Sequence, residues 1–184
     1  MKQKYQNDLV FIGLSILLLL LPLLLTAQIP FLKSQRTDLS IQKKIERASL
    51  QEIFQSNTNN RFSKGWSDLA SSRDCNICQL KEVTCDTEGL VIALDLSNKN
   101  LQVLPTSIQN FTYLNRLHLH ENSLKSLPRA LGNMTQLEDI SFFKNEIYSL
   151  SSNLRNLCGI NVEKGLIGNP IQEQMTWAEF CRGI

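Results

Sequence analysis

Two histidines and five cysteines are the residues of this 184-residue chain whose types and spacing could carry chemistry. His118 and His120 stand two apart, which in an extended segment puts both imidazoles on one face. With Asp95 nearby in the pattern developed below, they have the make-up of a metal site or of an acid–base pair. A metal-binding imidazole needs an outer partner to orient it, and none is evident. An acid–base role calls for a nucleophile, a phosphate loop or a pocket, and none accompanies them. The expectation is no metal, no cofactor and no catalytic residue. The cysteines are Cys75, Cys78, Cys85, Cys158 and Cys181. Cys75-x-x-Cys78 has zinc-like spacing, but no second pair follows nearby, and an oxidising compartment would favour disulfides. An odd count leaves one cysteine over.

The compartment is read from the N-terminus. Lys2 and Lys4 precede an apolar run from Leu9 to Leu25, interrupted by Gly13, Ser15 and Pro22, and Thr26-Ala27-Gln28 follows. A basic start, an apolar run and a small-residue exit describe a secretory signal over 1–27. The alternative is a retained signal-anchor, since about 20 apolar residues cross a bilayer. The chain is therefore expected to be secreted and extracellular, or membrane-anchored with its body outside. Residues 28–39 are rich in polar residues, lack a core pattern and read as a linker. The net charge of +2 is too small and too evenly spread for a nucleic-acid binder.

What must position these side chains is a repeat. Leu114, Leu117, Leu119, Asn122 and Leu124 fill the pattern L-x-x-L-x-L-x-x-N-x-L, and Leu137, Ile140, Phe142, Asn145 and Ile147 fill it again 23 residues later. Val91, Leu94, Leu96 and Leu101 fill it 23 residues earlier, with Lys99 at the Asn position. A fourth unit, with Leu166, Asn169 and Ile171, fits only with one residue inserted, and Lys164 then falls at an apolar position. Alternation at Leu94/Leu96 and Leu117/Leu119 is that of a short strand. The Asn satisfies backbone groups where the chain leaves the strand. Apolar residues three apart in the second half of each unit suit a 3₁₀ return. Pro105 and Pro128 exclude one continuous helix.

Over 91–171 this pattern resembles the leucine-rich-repeat family. The resemblance implies an α/β fold: a short right-handed solenoid with parallel strands on the concave face and loops or 3₁₀ turns on the convex side, three clear repeats and one degenerate. A solenoid has two ends that must be covered. Upstream, Ile41, Ile45, Ala48 and Ile53 read as the apolar face of a helix, followed by Trp66 and by Cys78 to Cys85. This resembles the helical, disulfide-bearing N-terminal cap of extracellular leucine-rich-repeat proteins of the plant receptor and bacterial surface type. Trp66, Cys78, Val83 and Cys85 match it, while Leu80 stands where Trp is expected and Glu82 where Gly is expected. The resemblance implies a cap over 40–90 with a Cys78–Cys85 bridge, Cys75 being the competing partner. It also implies a C-terminal cap over 172–184, with Trp177, Phe180 and Cys181 over the last open face and Cys158 a candidate partner for Cys181.

Residues alternating with the inward ones must face outward on the concave side. They form columns: Ala93, Arg116, Asp139; then Asp95, His118, Ser141; then Ser97, His120, Phe143; with Asn98, Glu121 and Lys144 at the strand exits. Lateral pairing of Arg116 with Asp139 and of Glu121 with Lys144 is expected, and Phe143 is expected to be exposed. Aromatic and arginine side chains anchor interfaces, so the candidate ligand-binding residues are Asp95, Arg116, His118, His120, Asp139 and Phe143. Asn110-Phe111-Thr112 and Asn133-Met134-Thr135 are N-glycosylation sequons at one repeat position. The chain reads as a non-enzymatic recognition protein for a protein or peptide ligand. The alternatives are a polysaccharide-binding adhesion protein or an inhibitor of a secreted hydrolase.

Overall fold

The computed structural model describes residues 38–57, 60–71 and 76–183. The leader over 1–27, most of the linker and Cys75 lie outside the described residues. The chain divides into two compact units, 1–42 and 43–184. Of the first, residues 38–42 are described and are helical.

The second unit is built on one five-stranded sheet. β1 (Val83–Cys85) pairs antiparallel with β2 (Val91–Asp95); β3 (Arg116–His118), β4 (Asp139–Ser141) and β5 (Asn161–Glu163) follow in parallel, each beside its predecessor. The 3₁₀ turns Thr106–Asn110, Arg129–Asn133 and Ser152–Gly159 connect the parallel strands. Pro105 and Pro128 open the first two turns, their rings holding φ near the helical value. Leu94, Leu117, Ile140, Leu96, Leu119 and Phe142 are buried, so inward residues of successive coils stack into one core. No single coil encloses such a core alone.

Each coil leaves its strand through a left-handed residue. Asn98, Glu121 and Lys144 have φ of 53°, 59° and 51°, a conformation costing an L-residue of this kind roughly 1 kcal/mol. Glu121 and Lys144 are each followed by the repeat asparagine, and Asn98 by Lys99 at that position; the asparagines offset the cost of the turn with hydrogen bonds. Asn122 donates to Leu96 O and Leu119 O and accepts from Lys99 N and Leu101 N. Asn145 donates to Leu119 O and Phe142 O and accepts from Leu124 N. Asn169 donates to Phe142 O and accepts from Ile147 N. The asparagines thus join each coil to its neighbour in the dry interior. Asn145→Ala would leave the Leu124 N–H without a partner and take one of two donors from Leu119 O and from Phe142 O, which keep Asn122 and Asn169; a loss of about 2 kcal/mol is expected from the cost of one unpaired buried group, measured by chemical denaturation.

N-terminal to the repeats lie α1 (residues 43–55) and α2 (Lys64–Ser71). The face of α1 differs from the sequence expectation. Ile45 is exposed, as are Ala48 and, in the first unit, Ile41, whereas Glu46, Ser49, Leu50 and Ile53 are buried. Polar groups can be buried when they are bonded, and these are. Glu46 accepts from Val91 N, and Ser49 donates to Ile45 O while accepting from Asn110 Nδ2. Asn57 extends the same face, donating to Ile53 O and Val103 O and accepting from Gln102 N and Val103 N.

Trp66 is fully buried, stacked on Phe62 at 4.1 Å, and its Nε1 donates to Glu82 Oε2 at 2.8 Å. Lys99 Nζ reaches Glu82 Oε1, also at 2.8 Å. The two departures from the repeat and loop patterns, Lys99 for Asn and Glu82 for Gly, are therefore one ion pair. Burial pushes the Glu82 carboxyl up, but the hydrogen bonds from Lys99 and Trp66 and the Lys99 charge together hold it below the usual glutamate range.

Cys78 is bonded to Cys85, and Cys158 to Cys181. The second bond ties the Ser152–Gly159 turn to α3 (Trp177–Arg182), whose capping box pairs Thr176 with Glu179. Trp177 packs edge-on against Phe142 at 5.4 Å and stacks with Phe180.

Candidate functional site

Alternation along β3 and its extension sends Leu117 and Leu119 into the core and leaves Arg116, His118 and His120 on the opposite face. The sheet register sets Ala93 and Asp139 beside Arg116, and Asp95 and Ser141 beside His118. β5 adds Asn161 beside Asp139 and Glu163 beside Ser141. Five of the six candidate residues thus lie in adjacent rows of one open sheet face.

The expected Arg116–Asp139 pair does not form. Asp139 Oδ2 lies 3.6 Å from His118 Nε2, and its Oδ1 accepts from Asn161 Nδ2 at 2.9 Å. Arg116 is exposed and has no hydrogen bond or ion pair among the described residues. Glu121 and Lys144 do pair, at 2.8 Å, and the Lys144 hydrogen bond and charge hold the Glu121 carboxyl below its usual range. Partial burial raises the Asp95 carboxyl, but the Ser97 hydroxyl and N–H outweigh it, with the two imidazoles adding to their effect, and the net shift is downward.

Phe143 is not exposed either; it retains 5 % of its accessible surface. His120 stacks on it with centroids 4.5 Å apart and planes 7° from parallel, and Lys164 Nζ stands 4.2 Å from its ring centroid, a cation–π contact. His120 Nδ1 also shares a hydrogen bond with the buried Ser141 Oγ at 2.8 Å. Lys164 reaches the ring because the fourth coil is irregular. Val162 pairs with Ile140, 22 residues earlier, whereas Asn169 follows Asn145 by 24. The two additional residues are taken up in a turn where Lys164 and Gly165 have φ of 55° and 50°. Lys164 is thereby turned out of the core, and Leu166 fills the inward position. Ser141, Asn161 and Lys164 are site residues that the sequence reading passed over. The residue inserted in the fourth unit was the signal in the sequence for Lys164, Ser141 carried none beyond its column, and Asn161 was placed in no column because its 22-residue step from Asp139 departs from the repeat.

The face offers a free guanidinium, two imidazoles and carboxylates already engaged, an arrangement suited to hydrogen bonding and charge pairing with a partner. Among the described residues no three His, Cys, Asp or Glu side chains come together as a metal site. A groove of about 730 Å³ lies elsewhere, lined by Lys43, Arg47 and Glu88 beside the Cys78–Cys85 bond.

Coils of strand and 3₁₀ turn, stacked in parallel and joined by the buried Asn122, Asn145 and Asn169, define a leucine-rich-repeat-like α/β solenoid. Comparison with protein-family models finds no match, and neither does comparison with curated protein sequences. Among solved structures, a plant ice-binding protein is similar at 16 % identity and a TM-score of 0.52, over 65 % of this chain and 39 % of that one, so this chain spans about four-tenths of its length. The BIR2 ectodomain of Arabidopsis thaliana aligns more loosely, at 25 % identity and a TM-score of 0.44 over 65 % of this chain and 59 % of that one. A leucine-rich-repeat protein of Leptospira interrogans does so at 24 % identity and 0.40 over 50 % and 25 %.

Proposed function

We propose that this chain is a non-enzymatic recognition module that binds a protein or peptide on the outer face of β2–β5. The observation that carries this reading is Arg116, an exposed guanidinium at the centre of the sheet that does not pair with its lateral carboxylate, Asp139, which accepts a hydrogen bond from Asn161. Arginine presents a rigid fork of donors matched to carboxylates and backbone carbonyls, and arginines are over-represented among interface anchors. The burial of Phe143 removes the exposed aromatic platform on which a polysaccharide-binding reading would rest.

In the same reading residues 40–90 and 172–184 cap the repeats over 91–171. Residues 1–27 act as a signal or anchor and 28–39 as a linker, so that the module is secreted or held outside a membrane. Two disulfides support the oxidising compartment. Among the described residues no helix is long and apolar enough to cross a membrane.

The test is selection of binders from a random peptide library on the secreted protein. Arg116→Glu is expected to weaken the selected peptides at least tenfold, about 1.4 kcal/mol, while Gln109→Glu on the convex side leaves them unchanged. Equal loss from both variants, or from neither, would reject this face as the binding surface.

A further inference from the structure

The two sequons provide an internal comparison. Each closes a 3₁₀ turn and buries its middle residue, and the backbone there is nearly the same: Phe111 has φ −81°, ψ 79° and Met134 φ −86°, ψ 81°. The flanking Asn and Thr are therefore presented alike. Their surroundings are not alike. Asn110 Nδ2 donates to Ser49 Oγ at 3.0 Å, and Ser49 is buried on α1. The same column continues to Asn156, whose Nδ2 donates to Gly132 O at 2.9 Å. Asn133, between them, is exposed, and its carboxamide has no partner among the described residues. One asparagine of three is thus free of structural duty, and it is followed at the required spacing by Thr135, which is also exposed.

We propose that Asn133 is an N-glycan attachment site and that Asn110, despite its sequon, is not. The inference rests on the secretory route proposed above. Asn133 Nδ2 forms a bond to the anomeric carbon of an oligosaccharide carried on a lipid pyrophosphate. The carbon–oxygen bond to the pyrophosphate breaks, the lipid pyrophosphate leaves with its electron pair, and the amide gives up one proton. The sugar then stands on the convex flank, away from Arg116 and the open sheet face. At Asn110 the same bond would put a sugar where α1 packs and would break the contact with Ser49. A chain modified there cannot dock α1 and is lost from the folded product, because the polar groups of Ser49 and Glu46 would lose the surroundings that allow their burial.

The experiment is expression of the full chain in a glycosylating secretory host, with mass measurement before and after peptide N-glycosidase, which leaves Asp at each former attachment site. The expected result is one glycan on the wild type, with Asp appearing at 133. Thr112→Ala, which destroys the first sequon but keeps Asn110, retains the one glycan and the wild-type unfolding midpoint. Thr135→Ala carries none. Two glycans on the folded wild type, a glycan that Thr112→Ala removes, or an unmodified Asn133 in a disulfide-bonded secreted chain each overturn the assignment. A chain that stays reduced and unsecreted overturns the secretory route itself, and the assignment with it.

Discussion

Lys99→Met is expected to destabilise the protein by about 3 kcal/mol at neutral pH, the lower end of what stranding one member of a buried ion pair costs. The lower end applies because Trp66 and Ser63 still donate to the carboxylate of Glu82, whose side chain is only 3 % exposed. The pH dependence distinguishes this cause from lost packing. In the wild type the Glu82 carboxyl lies below its ordinary value, so its stabilisation is complete above an unfolded glutamate pKa of about 4.3. It is lost as pH falls through the lower folded value. Without Lys99, burial is opposed only by the remaining hydrogen bonds to the carboxylate, and the folded value is expected to rise. The penalty in the variant then grows as pH rises through that raised value and shrinks on acidification. Urea unfolding at pH 7 and near pH 5 should therefore show the two proteins converging as pH falls. A gap that stays constant over this range would mean that Lys99 acts through its methylenes. Glu82→Gly combined with Lys99→Asn restores the residues of the ordinary pattern, and is expected to cost less than the two single changes added together, since residues in direct contact couple.

Gly132→Ala is expected to cost about 3 kcal/mol or more, at the upper end for overpacking. A Cβ at Gly132 would stand 2.1 Å from the carbonyl oxygen of Asn153 and 2.7 Å from its carbon. Both are backbone atoms of the next 3₁₀ turn, so no rotamer change relieves the clash and the two turns must separate. Separation would also break the bond from Asn156 to Gly132 O and loosen the stacking of Leu131 on Leu154 and Leu157, all buried in the common core. Gly159→Ala is the control, because nothing lies within 4 Å of its added carbon, and surface changes of this kind fall within about 0.5 kcal/mol. Differential scanning calorimetry should show a large drop in midpoint for the first and little for the second. Equal midpoints would contradict the close approach of the two turns.

Both predictions concern contacts between segments remote in sequence, and it is there that sequence and structure part. The 23-residue spacing of leucines and asparagines determined where strands form, which side chains turn inward and which residues share a column, because a strand alternates with period two and a coil can stack only in register. The columns of Arg116, His118 and His120 were legible for that reason, as was the exit column in which Glu121 and Lys144 pair. Columns say which residues are neighbours; they do not say which neighbour wins. Asp139 had Arg116 beside it in the pattern, yet Asn161 donates to one of its oxygens and His118 stands 3.6 Å from the other. Phe143 alternates outward, yet His120 and a lysine from an irregular turn cover it. The apolar spacing of α1 placed Ile53 correctly but not Ile41, Ile45 or Ala48, since Glu46 and Ser49 become buriable only when Val91 and Asn110 arrive from 45 and 61 residues away. Local periodicity is a property of the chain and can be read along it. The choice among partners depends on desolvation and distance between segments remote in sequence, and those come into being only when the coils have stacked.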